Sequence, residues 1–300
     1  MALEKTLPIL LIFFIGLGLK RMKILRADHA PLISQLILHV VLPATIINSL
    51  STTDLSPRLL LLPASATLVV VTLLGIAFLL APILGLRGKT RGAFLMAFPT
   101  LELGSIGYAF MLAVYGVGGL TLIALFDLGN ALFFFTVVSF LASVFGQPAE
   151  RFRVSDALMK FAKNPVLWAY GVGVAFNLLH VHIEMLSQLF ATLSQALLLL
   201  IMLLMAIEFE LKLAALTVPA LAMYLKMALG VMVGLLISLL FHLAGVEQMA
   251  VVLGSSVPAS LMTLVYAREN ELDAKFLASM LSLALPTSIG FSLILMSLSH

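Results

Sequence analysis

Residues 98–107 read FPTLELGSIG and residues 254–260 read GSSVPAS, and each stretch interrupts an otherwise apolar segment. Both stretches combine glycine, proline and polar side chains, which break helices or free backbone groups. At membrane depth a freed backbone group needs a partner, so such breaks persist where they line a cavity or a binding site. A matched pair, with one break in each half of the chain, is typical of the substrate site of a secondary transporter.

The rest of the chain has the composition of a membrane protein. Of its 300 residues, 62% are hydrophobic and only 10% are charged, and the mean hydropathy is +1.17. Soluble domains carry roughly 25% charged residues, so we expect an all-α polytopic membrane protein. Because one span needs ~20 apolar residues, we predict about ten transmembrane helices, near 6–19, 31–50, 59–84, 92–115, 118–145, 165–181, 186–207, 223–244, 249–267 and 275–298.

The basic residues indicate how the chain is oriented. They cluster after every second predicted span, within 20–26, 87–91, 151–163, 268–275 and at Lys212, whereas only Lys5 and Arg58 lie in the opposite loops. The positive-inside rule makes the basic loops cytoplasmic and places both termini outside, in a multi-pass plasma membrane such as the bacterial inner membrane. This asymmetry accounts for the net charge of +3 and gives no support for a nucleic-acid partner.

Similar motifs recur in the two halves. Leu7-Pro8-Ile9-Leu10 matches Asn164-Pro165-Val166-Leu167 at an offset of 157 residues, and Asp127-Leu128-Gly129-Asn130 falls on Ser279-Met280-Leu281-Ser282 at an offset of 152. We therefore predict a 5+5 repeat, with a first five-helix unit at 1–146, a cytoplasmic connector containing a short surface helix at 147–164, and a second unit at 165–300. Because five is odd, the second unit enters the membrane from the opposite face and the repeat is inverted.

Acidic residues near the breaks are candidates for binding a coupling ion. A charge at the bilayer centre costs at least ~2.5–3.5 kcal/mol, so Glu102 needs a reason to lie in the first break. Its carboxylate could bind H⁺ or Na⁺, or it could cap a half-helix. Asp127 and Asn130 share a helix face, and Ser279 and Ser282 are their repeat counterparts. These four residues would support ion binding or form interhelical hydrogen bonds.

The breaks themselves are candidates for binding the substrate. Two broken helices that cross at the midplane would direct two positive N-terminal ends at one point, which suits a small carboxylate. The predicted substrate-binding residues are Gly104, Ser105, Gly107, Ser255, Ser256, Pro258 and Ser260. The alternative is that these small residues allow close helix packing. Glu208, Glu210, Lys212 and Lys226 are predicted to lie at the membrane interface with snorkelling side chains.

The sequence lacks the residues that several kinds of chemistry require. With no cysteine, the chain has no disulfide and no thiolate ligand for haem or iron–sulfur groups. It has no nucleotide-binding or hydrolase motif, so we expect neither an enzyme nor an ATP-driven pump. We expect no cofactor beyond H⁺ or Na⁺ as coupling ion, and no metal site other than a Na⁺ position at Glu102. The expected partners are a small organic anion and the lipid bilayer, and a homodimer is left open.

Short motifs spread over nearly the whole chain resemble those of the auxin efflux carrier family. They are Val41-Leu42-Pro43-Ala44-Thr45, Tyr115-Gly116, Ala124-Leu125-Phe126-Asp127-Leu128-Gly129-Asn130, Val257-Pro258-Ala259 running on to Tyr266, and Ser279-Met280-Leu281-Ser282 with Leu285-Pro286. The resemblance implies ten helices in an inverted repeat with crossed, broken helices 4 and 9, related to the bile-acid transporter and NhaA folds. It also implies secondary transport of organic anions, malate-like dicarboxylates in bacteria and auxin in plants.

The first break departs from that family pattern. Where the family reads Asn, Gly, Gly and Pro, this chain has Glu102, Gly104, Gly107 and Ala109. A second carboxylate beside an anion site repels the substrate unless it is protonated or bound to a cation. Glu102 therefore favours cation-coupled uptake, or a changed substrate, over simple anion efflux. The rival hypothesis is a cation/proton antiporter without an organic substrate.

Overall fold

The computed structural model of the protein describes residues 2–52, 56–146, 153–181, 183–209 and 218–282, together with Thr287, and these residues form helices and no strand. The helices of the first half are α1 (Ala2–Arg21), α2 (Ala30–Leu36), α3 (Leu42–Thr52), α4 (Leu61–Ile83), α5 (Gly88–Ala97), α6 (Tyr108–Phe133) and α7 (Ser139–Phe145). Those that follow are α8 (Val154–Ala162), α9 (Pro165–Leu178), α10 (Glu184–Glu208), α11 (Val218–Leu240), α12 (Gly245–Ser256), α13 (Met262–Glu269) and α14 (Ala274–Ser282).

Wider π-type turns join several of these helices. Ile37–Val41 connects α2 to α3, Leu103–Gly107 leads into α6, and Phe134–Val138 connects α6 to α7. The helices α2 and α3 therefore run on as one rod, as do α6 and α7. The predicted connector contains α8 as its short helix, and residues 147–152 lie outside the described part of the chain.

Five helical segments are long and apolar enough to cross a membrane: Ala27–Thr52, Pro57–Ile83, Tyr108–Phe145, Glu184–Ile207 and Val218–Leu240. The helix Pro165–Leu178 is apolar but shorter. The predicted fourth span is divided between α5 and the start of α6, and the predicted ninth span between α12 and α13. The predicted tenth span begins as α14 and continues beyond the described residues. The protein is thus a polytopic, all-helical membrane protein, and the ten-helix inverted repeat stays a prediction.

Gly116 divides the 38-residue segment Tyr108–Phe145 into two. Its φ of 67° and ψ of −161° lie in a region that side chains rarely adopt, so glycine permits a sharp kink there. The kink falls between the predicted spans 92–115 and 118–145. The described helix α6 therefore holds the end of the fourth predicted span and the start of the fifth.

The helices pack in two groups. The scaffold group consists of α1, α2, α3, α9 and α10, in which α3 packs on α9 and α10, and α1 packs on α10. The core group consists of α4–α7 and α11–α14, in which α4 packs on α6, and α12 packs on both α11 and α6. The groups meet where α1, α3 and α10 contact α6, so each break belongs to the core group and the first lies at its boundary with the scaffold.

Polar contacts tie the two halves of the chain together within the core group. Arg58, just before α4, forms a 3.1 Å ion pair with Glu247 of α12. Thr90 of α5 donates a 2.7 Å hydrogen bond to Asp273, which precedes α14. These contacts lie at the helix ends rather than at the breaks, and they join residues of the first half to residues of the second. The core group is therefore one packed unit built from both halves.

Helices α11 and α12 approach each other closely because α11 presents glycines to α12. A Cβ atom added at Gly230 would meet the backbone carbonyl of Ser255, and one added at Gly234 would meet the Ser255 hydroxyl. Gly230 and Gly234 are four residues apart and share one helix face, an arrangement that allows close helix contact in membranes.

Gly230→Ala is expected to destabilise the protein by about 1–3 kcal/mol, as overpacking does, because the backbone of Ser255 cannot move aside as a flexible side chain can. Gly75→Ala is the matched control, since a Cβ at this position of α4 would meet nothing within 4 Å. The measurement is the thermal midpoint of detergent-purified protein, followed by size-exclusion chromatography after heating. Equal midpoints for the two variants would contradict the close packing of α11 on α12.

Candidate functional site

The two breaks lie against each other and satisfy each other's backbone groups. The Glu102 amide donates a 2.9 Å hydrogen bond to the carbonyl of Pro258, and the Ser260 amide donates a 3.1 Å hydrogen bond to the hydroxyl of Thr100. Both breaks follow directly from a helix end, at Ala97 for α5 and at Ser256 for α12. Buried backbone groups without a partner are costly, so each break needs the other in order to exist. We call this meeting point the crossover, formed by residues 98–107 and 254–261.

Glu102 joins the breaks through its side chain as well. Its Oε2 accepts a 2.8 Å hydrogen bond from the amide of Leu261, the residue before α13. The carboxylate therefore lies at the N-terminal end of α13, where the helix dipole favours negative charge. Glu102 is half-buried. The predicted alternative role, capping of a half-helix, is present in the structure, although the capped helix belongs to the other break.

Lys226 of α11 is fully buried at the crossover. Its Nζ donates a hydrogen bond to the carbonyl of Val257, the first residue after α12. Carbonyls at a helix C-terminus lack intrahelical partners and carry partial negative charge, so a cation there is stabilised. Glu102 lies at the same break, since its amide bonds to the carbonyl of Pro258, the residue after Val257. The prediction that Lys226 lies at the membrane interface is therefore wrong.

The sequence contained an indication that Lys226 is buried. Its position near the start of a predicted span favoured the interface instead. It is a basic residue inside an apolar segment, and it belongs to neither set of loops. The described helix already includes Val218, before the predicted start at residue 223, so Lys226 is at least two turns inside it. Glu210 and Lys212, predicted in the same interfacial group, lie outside the described residues, as does the side chain of Glu208.

Asp127 and Asn130 share a helix face, as their spacing predicted, and the structure turns this face towards the first break. The buried Asn130 amide both donates to the Leu101 carbonyl and accepts from the Leu101 amide, at 3.2 Å each. It also donates a 2.8 Å hydrogen bond to Asp127, which accepts a second, 2.6 Å bond from the hydroxyl of Tyr108. This network holds the backbone of the first break. Tyr108 was not among the residues predicted for the site.

Ser255 and Ser256 are buried in helix packing. Their hydroxyls donate to carbonyls of their own helix, at 3.0 Å to Val252 and 2.8 Å to Leu253. Ser255 also lies against the glycine face of α11. Their placement matches the predicted alternative of close helix packing.

The remaining predicted residues of the crossover differ in exposure. Ser260 is half-buried beside Pro258, and Gly107 is buried against Ile123. Gly104 is exposed, with open space where a side chain would stand. The side chain of Ser105 lies outside the described part of the structure.

Ser279 and Ser282 were predicted as counterparts of Asp127 and Asn130. Their hydroxyls donate to carbonyls of their own helix, to Lys275 at 3.0 Å and to Ser279 at 2.8 Å. Ser279 is exposed. Among the described contacts, neither serine takes part in the hydrogen bonds of the crossover.

A cleft of about 500 Å³ lies at the boundary between the scaffold and core groups. The scaffold contributes polar side chains, Asn48 of α3 with Ser194 and Gln195 of α10, and α6 of the core contributes Leu112, Ala113 and Val117. Helix α10 also packs on Leu103–Gly107, so the cleft and the first break share the same boundary. Its lining is apolar with a few amide and hydroxyl groups, the usual character of a small-molecule site.

In this polytopic helical protein two helix breaks meet beside a buried lysine and a carboxylate, an arrangement typical of secondary transporters. A family model described as "Membrane transport protein" matches residues 1–296, and the chain belongs to this family, that of the auxin efflux carriers.

Two similar proteins come from methanogenic archaea. The chain is 28% identical over 282 residues to an uncharacterized transporter of Methanothermobacter thermautotrophicus, a match that covers 92% of this chain and 91% of that protein. It is 25% identical over 304 residues to an uncharacterized transporter of Methanocaldococcus jannaschii, covering 99% of this chain and 97% of that protein. The similarity therefore extends over both breaks rather than over one half.

Proposed function

We propose that the protein is a secondary active transporter of a small organic anion, of the carboxylate or dicarboxylate class, that works by alternating access and couples to H⁺ or Na⁺. The observation that carries the proposal is the crossover, where two helix breaks bond to each other around Lys226 and Glu102. A carboxylate already occupies the start of α13, which supports a site with the chemistry of a carboxylate guest.

The proposed movement is that of the core group against the scaffold group. Both breaks belong to the core group, and the cleft lies between the groups, so a relative shift would expose the crossover to one side and then to the other. In this proposal the whole chain forms the 5+5 inverted repeat, with its basic loops in the cytoplasm and both termini outside.

A cation/proton antiporter without an organic substrate is the second candidate. The observation that favours it is the presence of two carboxylates near the first break, Glu102 and Asp127. Such a protein would exchange cations for protons and would be indifferent to organic anions.

The test is solute flux in liposomes that contain the purified protein. A panel of acetate, lactate, benzoate, succinate and malate would be offered under an H⁺ gradient, a Na⁺ gradient or neither. We expect at least one carboxylate to be taken up in a protein-dependent way, and one of the two cation gradients to drive its accumulation. Cation flux that is unchanged by every carboxylate would favour the antiporter and contradict the proposal.

Gly104→Leu is expected to lower carboxylate flux by about tenfold or more without loss of folded protein, because a side chain would enter the open space beside the crossover and exclude the substrate. Gly171→Leu on α9 is the matched control, since a Cβ there also meets nothing within 4 Å. Equal fluxes for the two variants would contradict a substrate path beside Gly104.

A further inference from the structure

We infer that Lys226 is the fixed cation of the crossover: it takes the place of a bound metal cation, and it becomes the charge partner of the transported anion when Glu102 takes up a proton. This inference rests on the proposed function, and it narrows the coupling ion to H⁺ and the substrate to a carboxylate.

The first argument is the position of the ammonium group. Lys226 is fully buried, and its Nζ contacts a carbonyl that the break has freed, that of Val257. Freed carbonyls of broken helices are the groups that coordinate Na⁺ in transporters. Here the chain's own cation contacts one of them, so a second cation beside it would meet strong repulsion in a medium of low dielectric.

The second argument is the pairing of charges. Glu102 and Lys226 lie at the same break: Lys226 contacts the Val257 carbonyl, and Glu102 bonds to the next residue, Pro258, and to Leu261. Asp127, the other carboxylate near the first break, is held by Tyr108 and Asn130. Among the described residues, Tyr108 on α6 donates to Asp127, the Tyr170 hydroxyl on α9 donates to the Thr121 carbonyl at 3.1 Å, and Glu247 on α12 pairs with Arg58 at 3.1 Å. In this inference Lys226 and Glu102 are therefore the two opposite charges that balance each other at the second break.

The third argument is the charge balance of a transport cycle. When Glu102 takes up a proton, Lys226 is left as an unbalanced charge in the protein interior, which is costly unless an anion compensates it. A substrate carboxylate supplies that compensation. When the proton and the anion leave on the other side, Glu102 balances Lys226 again. One proton thus accompanies one carboxylate group, and no charge or atom is unaccounted for.

The partial exposure of Glu102 fits this exchange, because the group that must gain and lose a proton has access to the boundary while Lys226 has none. The open space at Gly104, two residues from Glu102, provides room for an incoming carboxylate. The polar atoms of the site thus separate into a fixed, buried cation and an accessible, proton-binding anion.

The experiment is carboxylate uptake and counterflow by the full chain in liposomes, with the substrate that gives the largest counterflow in the panel above. We expect an inward H⁺ gradient to drive accumulation and replacement of Na⁺ by N-methylglucamine to have no effect. In the pH range where the empty site is mostly deprotonated, the apparent affinity for the carboxylate should fall by about tenfold per unit rise in pH. Any ligand that binds together with one proton behaves in this way.

Glu102→Gln separates exchange from coupling. The amide carries no charge and cannot release a proton, so Lys226 keeps an unbalanced charge that favours carboxylate binding. We expect counterflow to persist, its dependence on pH to flatten, and H⁺-driven accumulation to be lost. H⁺-driven accumulation in this variant would overturn the inference.

If Glu102→Gln fails to fold, flux measurements on the wild-type protein still test the inference. Accumulation driven by Na⁺ would overturn the role of Lys226 while leaving the proposed function standing. Absence of carboxylate counterflow under every gradient would overturn the proposed function together with this inference.

Discussion

Lys226→Met is expected to abolish coupled transport and to lower the free energy of unfolding by about 3–5 kcal/mol, the usual cost of removing one partner of a buried charge pair. Methionine keeps an unbranched apolar chain and removes the ammonium group. The carbonyl of Val257 then loses its donor, and under the inference above Glu102 loses the cation that balances it. The contact with Val257 is lost in a fully buried place that water reaches poorly.

A double-mutant cycle measures how much of this loss belongs to the pair. In Lys226→Met combined with Glu102→Gln both charges are absent, so we expect part of the lost stability to return, by about 0.5–3 kcal/mol. Lys163→Met is the control for removing a lysine, because Lys163 is exposed at the end of α8. The measurements are the thermal midpoint in detergent and carboxylate accumulation in liposomes.

Additive effects of the two substitutions would contradict a Lys226–Glu102 pair. Wild-type accumulation by Lys226→Met would contradict its role as the fixed cation. If Lys226→Met is as stable as the wild type but does not transport, Lys226 contributes to transport and not to folding stability.

The breaks were predictable from sequence because their cause is local. Proline and glycine act on the backbone wherever they stand, so FPTLELGSIG and GSSVPAS mark the places where α5 and α12 end. The shared face of Asp127 and Asn130 was predictable for a similar reason, since it needs only the helical period. Polytopic character follows from composition, which does not depend on how the helices pack.

Side-chain partners across helices were harder to predict, because they depend on packing. Lys226 lies near the start of a predicted span, where a lysine normally reaches the interface, and its burial follows from where α11 begins and what it packs against. Ser255 stands in a break, where a hydroxyl could face a substrate, but Gly230 and Gly234 bring α11 against it. The Gly230-x-x-x-Gly234 spacing was present in the sequence as a sign of that contact.

The repeat counterparts of Asp127 and Asn130 were assigned by aligning apolar segments of the two halves. The register of such an alignment is poorly determined, because apolar segments resemble one another at many offsets. The helix ends at Ala97 and Ser256, which begin the two breaks, lie further apart in sequence than the offset of 152 residues that paired Asp127 with Ser279. A shift of a few residues moves a side chain to another face of its helix, so the equivalent positions in α14 cannot be assigned from those motifs alone.

Asn130→Ala is expected to lower the free energy of unfolding by about 2–4 kcal/mol and to abolish carboxylate transport. The amide of Asn130 satisfies both backbone groups of Leu101, and Leu101 is buried. Truncation leaves a donor and an acceptor of the first break without that partner, at about 1–3 kcal/mol for each group. Asp127 loses a donor as well, so the position of the break changes in addition to its stability.

Two further variants show whether the amide acts on the break itself. Asn130→Asp keeps an oxygen for the Leu101 amide but directs a second oxygen at the Leu101 carbonyl and at Asp127, so it should transport no better than the alanine variant. Asn177→Ala is the control: Asn177 donates a 2.9 Å hydrogen bond to the carbonyl of Leu50 within the scaffold group, and its loss should leave transport largely intact. If Asn177→Ala and Asn130→Ala transport equally well, the first break does not depend on Asn130 for its working geometry.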